Sequence, residues 1–293
     1  MKKPIQFLVA IITLALIFCF QNCSPVRNSA ENDDQMGLAG DLIIVSKPTF
    51  TYTWSDPNNL LPTYKAGILS NLQAAANLWA AHINSTASIQ VFVEVKNNGG
   101  VLGGRSAFMV GTGKYINGRQ IAEESAAYEL RTLSDPNGSD PDIIITVDPT
   151  YIKNEVWIDP TPTARTDPSE IPYNKIDGVS VFLHEIGHSL GFNGWWVRAN
   201  QQPTDPYWVG NYDRFITLDA SGKAYFNGAN AMASYGGKKI PLCVSINFHM
   251  GNIGSTDILS HMLMTGNYFF YGYRYNIDAI TLAVLKDLGL PVR

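Results

Sequence analysis

Apolar residues recur along this chain with two periods, and the switches between them outline the fold. Residues 49–54 and 88–95 (SIQVFVEV) are rich in β-branched and aromatic side chains or alternate strictly, which predicts strands. Residues 42–45 carry the same signal. Between the two runs, Ile68, Leu72, Ala75, Ala76, Trp79 and Ile83 repeat at steps of three and four, so residues 64–83 should form a helix with one buried face. Residues 97–104 are glycine-rich and read as a loop. Residues 106–110 and 142–147 (DIIITV) read as further strands, the second apolar enough to lie inside a sheet. Pro, Asn and Gly at 135–142 mark a turn, and Pro160, Pro162, Pro168 and Pro172 make 151–173 read as loop. The helical period then returns with Val179, Phe182, Ile186 and Leu190, with Asp177 as the N-cap and Gly191 as the stop. A last helix is expected over 278–288, with Ile280, Val284, Leu285 and Leu288 on one side and Gly289 after it. This order predicts an α+β domain, a mixed β-sheet packed on helices, with residues 41–293 as one unit.

The helix that starts after Asp177 carries the chemistry. It reads HEIGHSLGFN over 184–193. Positions four apart share a helix face, so His184 and His188 can aim their imidazoles at one point. Neutral imidazole is a common metal ligand, and two such nitrogens suit zinc. Glu185 sits one step round the helix, within reach of a metal-bound water without ligating the metal. This is the H-E-x-x-H zinc-peptidase pattern. The bland alternative is a helix whose histidines and glutamate are merely solvated or satisfied by hydrogen bonds. A catalytic zinc takes three protein ligands. The chain has five histidines, His82, His184, His188, His249 and His261, and no glutamate after Glu185. A downstream glutamate ligand is therefore excluded, and the third ligand must be a histidine or an aspartate. His82, alone on the first helix, reads as structural.

The surrounding residues resemble the metzincin peptidases, whose pattern is H-E-x-x-H-x-x-G-x-x-H followed by a methionine turn. His184, Glu185, His188 and Gly191 match it, but Gly194 stands where the third histidine would be. The chain is similar to the leishmanolysin branch, in which HExxHxxGF is separated from the third histidine by a long insertion. Residues 212–242 resemble that insertion, 247–252 (NFHMGN) the third-histidine segment, 263–266 (LMTG) the methionine turn, and 277–292 the closing helix and strand. The likeness covers roughly 179–292 and is weak before that. It implies a zincin fold with an irregular lower subdomain ending in a helix. It also implies one Zn2+ held by His184, His188 and His249, with Met264 beneath the metal and Glu185 as general base. His261, three residues before Met264, is the rival ligand, and Met262 the rival methionine. Tyr268 stands near the place where related enzymes use a tyrosine as an extra donor. Trp195, Trp196, Tyr207, Trp208, Tyr212 and Phe215 either wall a substrate cleft or pack the insertion onto the core.

Composition narrows the partners. Of 293 residues, 45% are hydrophobic and 16% charged, and the net charge is −4 with no basic block, which argues against nucleic acid. Lys2 and Lys3 precede an apolar run at 7–20, short for a membrane span but suited to a secretory signal. Cys23 follows directly in FQNCS, which resembles a bacterial lipoprotein signal apart from Phe20 and Asn22. That resemblance implies a signal peptide at 1–22, lipidation of Cys23, a flexible tether at 23–40, and an exported, membrane-anchored protein. An ordinary signal peptide cleaved nearby is the alternative. Cys19 would leave with the signal, and Cys243 reads as a small buried hydrophobe. The function expected is a zinc endopeptidase acting on proteins or peptides. The alternatives are a catalytically inactive metzincin-like surface lipoprotein used in binding or adhesion, and a zinc hydrolase of a non-peptide bond.

Overall fold

A computed structural model describes residues 46–293 apart from 166, 195, 198–201, 204, 244–248 and 252–257. The strand expected at 42–45, the apolar leader, Cys23 and the tether lie outside the described residues. The chain begins with β1 (Thr49–Ser55), α1 (Lys65–His82) and β2 (Ser88–Val95). β1 and β2 are parallel, with Thr49 opposite Ser88, and α1 is the crossover between them. Its expected face, Ile68, Leu72, Ala75, Ala76 and Trp79, is fully buried. Next come β3 (Gly103–Ser106), β4 (Met109–Ile116) and β5 (Arg119–Glu124), the last two joined as a hairpin. Asn117 and Gly118 turn that hairpin with φ of 49° and 77°, as a two-residue turn of this hand requires. α2 (Ser125–Thr132) and β6 (Ile143–Val147) follow. The main sheet has the order β1-β2-β6-β3. Its first three strands are parallel and β3 runs antiparallel at the edge. β6 is interior, as its apolar run leads one to expect, with Ile143, Ile145 and Val147 buried.

Three expectations are corrected. The strand read over 106–110 is broken: Ser106 ends β3 and Met109 begins β4. The Ser106 hydroxyl donates to the Phe108 carbonyl at 2.9 Å and the Ala107 N–H to the Asp142 carbonyl at 2.8 Å, which turns the chain from one sheet into the next. The glycine-rich loop is shorter than read, because Gly103 and Gly104 already pair with Thr146 and Ile145. The loop read over 151–173 also starts late. Asp148 accepts the Thr150 and Tyr151 N–H groups and caps α3 (Pro149–Asn154), with proline in the first turn, where a missing N–H is harmless. β7 (Val156–Trp157) then pairs in parallel with β8 (Ile176–Asp177).

β8 leads straight into α4 (Gly178–Ser189), the helix of the HEIGH motif. The stripe Val179, Phe182, Ile186 and Leu190 is fully buried. Asp177 caps α4 as expected, accepting the Ser180 N–H at 3.0 Å. It is also paired with Arg165 (2.7 Å) and Arg274 (3.4 Å), and Arg274 is paired with Asp159 (3.0 Å). All of these side chains are nearly or fully buried. The negative charge at the helix N-terminus suits the helix dipole, and the two arginines neutralise it. α1 and α4 pack together, and the Trp79 indole donates to the Leu183 carbonyl at 3.0 Å.

The remaining chain is built of short pieces. β9 (Trp196–Val197) and β10 (Gln202–Pro203) form a ribbon, and β11 (Trp208–Gly210) joins β5 in parallel. β12 (Ile216–Leu218), β13 (Ala224–Phe226), β14 (Ile240–Cys243) and β15 (His249–Met250) make an antiparallel sheet, with α5 (Ala229–Ser234) between β13 and β14. α6 (Ala279–Asp287) closes the chain, capped by Asp278 through the Thr281 N–H. Tyr212 is buried between Phe192 and Phe226, and Phe215 lies on Phe226. Those two rings fasten this region to the core, whereas Tyr207 and Trp208 are exposed. Trp195 and the side chain of Trp196 lie outside the described residues. The result is a mixed α+β architecture with open sheets and several helices. Val45–Arg293 make one compact unit.

Removing one partner of a buried ion pair strands the other, at about 3–5 kcal/mol. Asp177→Asn keeps a capping oxygen but loses the charge. Urea denaturation should therefore show a loss of about 3–5 kcal/mol, and a loss below about 1 kcal/mol, the usual worth of a cap alone, would contradict the role given to the ion pairs.

Candidate metal centre

Two elements deliver three imidazoles to one point. α4 carries His184 and His188 on one face, and β15 brings His249 across from the antiparallel sheet. The His184 Nε2 lies 3.0 Å from the His249 Nε2 and 3.1 Å from the His188 Nε2. The opposite ring nitrogens are engaged elsewhere: the His184 Nδ1–H donates to the Leu263 carbonyl at 2.8 Å and the His188 Nδ1–H to the Phe192 carbonyl at 2.6 Å. A carbonyl can only accept, and a neutral imidazole has one N–H. The proton is therefore at Nδ1 in both rings, and the Nε2 lone pairs face each other and His249. Lone pairs crowded in this way repel unless a cation shares them. Burial holds His184 well below the usual imidazole range, with His188 and His249 adding to the effect, and burial lowers His188 as well. Both rings are thus neutral at pH 7, the form that ligates metals. This buried group can hold a metal ion.

Local backbone geometry fixes each ring. Gly191 has a φ of 124°, and the Phe192 N–H donates to the Gly187 carbonyl, which ends α4 in a Schellman-type turn. That turn swings the Phe192 carbonyl back onto His188. β15 is held on both sides: His249 stands opposite Cys243, while the Met250 N–H donates to the Met264 carbonyl (2.9 Å) and the Gly266 N–H to the Met250 carbonyl (2.6 Å). The turn bearing Met264 therefore positions His249 as well as His184. The Met264 thioether packs under α4 at Gly187, where a Cβ would come within 2.6 Å of its sulfur. The Leu263 N–H is held in turn by the Asp278 carboxylate at 3.0 Å, which ties the turn to the cap of α6.

Glu185 follows His184 on the helix and is nearly buried. Burial pushes its carboxyl up to about 7, and a hydrogen bond from the Gly104 N–H opposes the rise. β3 packs so closely over α4 that any Cβ at Gly104 would collide with the Glu185 carbonyl. Of the other histidines, His261 is exposed and packs on Phe270 and Tyr273, 5.2 and 5.5 Å between ring centroids, and His82 ends α1. Neither belongs to the three-histidine group. Tyr268 is half-buried, and the ring found against His184 is Phe269, 5.3 Å away and stacked on Tyr275. Cys243 is buried. Sequence reasoning missed Gly104, Gly187, Asp278 and the two carbonyls. Only Gly187 left a signal, as a glycine inside a helix, where it is normally unfavourable. A scan of protein-family models finds no match to this chain, and a search of curated proteins finds no relative.

Gly187→Ala should overpack the thioether and cost about 1–3 kcal/mol. Met264→Ala should leave a cavity and cost about 2–5 kcal/mol. The double variant should lose less than the sum, because each change removes the other's conflict. A double-mutant cycle by chemical denaturation checks this, and strict additivity would contradict the contact.

Proposed function

We propose that this chain is a zinc-dependent endopeptidase of the metzincin kind, organised like the leishmanolysins. The observation that carries the reading is the meeting of three imidazole nitrogens, two of them from the helix that also carries the buried Glu185. Nitrogens around a tetrahedral zinc lie roughly 3.3 Å apart, close to the 3.0 and 3.1 Å found here. His184, His188 and His249 would hold the ion. Bound there, zinc would supply a water of lowered pKa, about 7, and Lewis-acid polarisation of a substrate carbonyl. Glu185 takes the proton of the attacking water and returns it to the leaving amine. A carboxyl with a pKa near 7 can do both at neutral pH. Met264 beneath α4 supports the methionine-turn reading. Phe269 gives His184 an apolar flank, edge-on at 5.3 Å between ring centroids, which helps to fix its orientation.

The edge of the main sheet favours a peptide substrate over a small ester. β3 is paired on one side only among the described residues, and its Gly104 lies against Glu185. An extended peptide that adds to that edge would run past the carboxylate. The likeness of the N-terminal residues to a lipoprotein signal supports an exported enzyme anchored through Cys23, with 23–40 as its tether.

Glu185→Gln removes the base and leaves the three histidines alone. Zinc should stay near one per chain while hydrolysis of casein falls by a factor of about 10^2–10^4 or more. Metal analysis and a protease assay on the same sample measure both. Activity kept within about tenfold would overturn the role of Glu185. A wild type that binds zinc and cleaves no protein would favour the binding lipoprotein.

A further inference from the structure

A second group of metal-capable side chains gathers where β2 and β6 begin. Glu129 near the end of α2, Asp135 in the connection that follows, and Asp142 just before β6 each offer an oxygen within 4.8 Å of the others. Each carboxylate uses one oxygen to hold backbone. The Glu129 Oε1 accepts the Ser88 N–H at 3.2 Å, and the Asp142 Oδ2 accepts the Gln90 N–H at 2.9 Å. The Asp135 Oδ1 accepts the N–H groups of Asn137 and Gly138 at 2.9 and 2.6 Å. The second oxygens of the two buried members, Glu129 Oε2 and Asp142 Oδ1, accept from no N–H or hydroxyl, although the residues are only 5% and 0% exposed, and the two carboxyl groups stand within hydrogen-bonding reach of each other. On the same connection, the Asn137 Nδ2 donates to the carbonyls of Asp140 and Pro141, and its Oδ1 is buried and unpartnered too.

Buried oxygens left without donors are costly, and carboxylates this close cannot all stay ionised unaided. Burial pushes Glu129 up to about 7, with Asp142 and Asp135 adding to the rise, and burial also raises Asp142. Two arrangements relieve the conflict: a proton shared between Glu129 and Asp142, or a bound cation. A shared proton engages Glu129 and Asp142 and leaves the third carboxylate, Asp135, without a part in the group. A cation uses them all. The donors are carboxylate oxygens, with no nitrogen or sulfur among them, and two of the three residues lie outside regular elements. That set suits a hard cation accepting several ligands in adaptable geometry, which is calcium rather than zinc or magnesium. We propose that Glu129, Asp135 and Asp142 form a calcium site that pins the α2–β6 connection to the starts of β2 and β6. The proposal stands apart from the histidine centre and from the peptidase reading.

The test uses the full chain, stripped of metal on a chelating resin and given back one equivalent of zinc. Calcium chloride is then titrated by calorimetry, with thermal unfolding followed in parallel. The expected result is one calcium per chain, with Tm raised by roughly 5–10 °C at calcium 100 times its Kd. Asp135 is exposed, so Asp135→Asn should fold normally yet weaken calcium binding at least about tenfold. Glu129→Gln should abolish the response, and His249→Ala should keep it. The proposal is overturned by a wild type with neither binding heat nor Tm rise, which would leave the shared proton as the explanation. It is equally overturned if Asp135→Asn titrates like wild type, or if magnesium matches calcium at the same concentration.

Discussion

Two hydrogen bonds from ring to backbone govern this structure. The Nδ1–H of His184 is held by the Leu263 carbonyl and that of His188 by the Phe192 carbonyl. With those protons committed, the Nε2 lone pairs have one direction left, toward each other and His249. The two carbonyls come from opposite ends of the C-terminal half of the chain. One belongs to the turn that ends α4, and the other to a turn more than one sheet away in sequence. The segment from β12 to α6 therefore acts on the histidine geometry as a whole, though it contributes only one of the three rings, His249.

Rigidity around these bonds comes from charge and from close approach. Asp177 sits between Arg165 and Arg274 in a buried chain of ion pairs that continues to Asp159, and so anchors the start of α4. Two glycines let other elements close onto the helix: Gly104 brings β3 against Glu185, and Gly187 admits Met264 from below. Asp278 binds both the first turn of α6 and the Leu263 N–H, so the cap of one helix steadies the carbonyl that orients His184. Glu185, on the same firmly held helix as His184 and His188, is buried, and burial pushes its carboxyl up to about 7.

Much of this was legible in the sequence wherever one residue's chemistry decides its place. The period of α1 and α4, the cap at Asp177 and the stop at Gly191 follow from local rules, and the structure keeps them. The grouping of His184 and His188 follows from helix spacing alone. His249 needed more: the count of histidines narrowed the choice, and the resemblance selected His249 over His261. The misreadings lie where long-range pairing overrides local pattern. Residues 106–110 look like one strand, but the Ser106 hydroxyl breaks them between two sheets. α2 and the β4–β5 hairpin escaped notice because α2 places Glu129 in its buried face and β4 is largely exposed. The acidic group at Glu129, Asp135 and Asp142 has no motif spacing, and only the folding of β2 beside β6 assembles it.

The claim on which the account rests is that His184, His188 and His249 bind one metal ion together. Zinc per chain in the wild type, His249→Ala and His261→Ala tests it most directly. The account requires close to one zinc in the wild type and in His261→Ala, and almost none in His249→Ala. Zinc lost from His261→Ala but kept in His249→Ala, or a wild type that takes up no zinc when it is supplied, would contradict it.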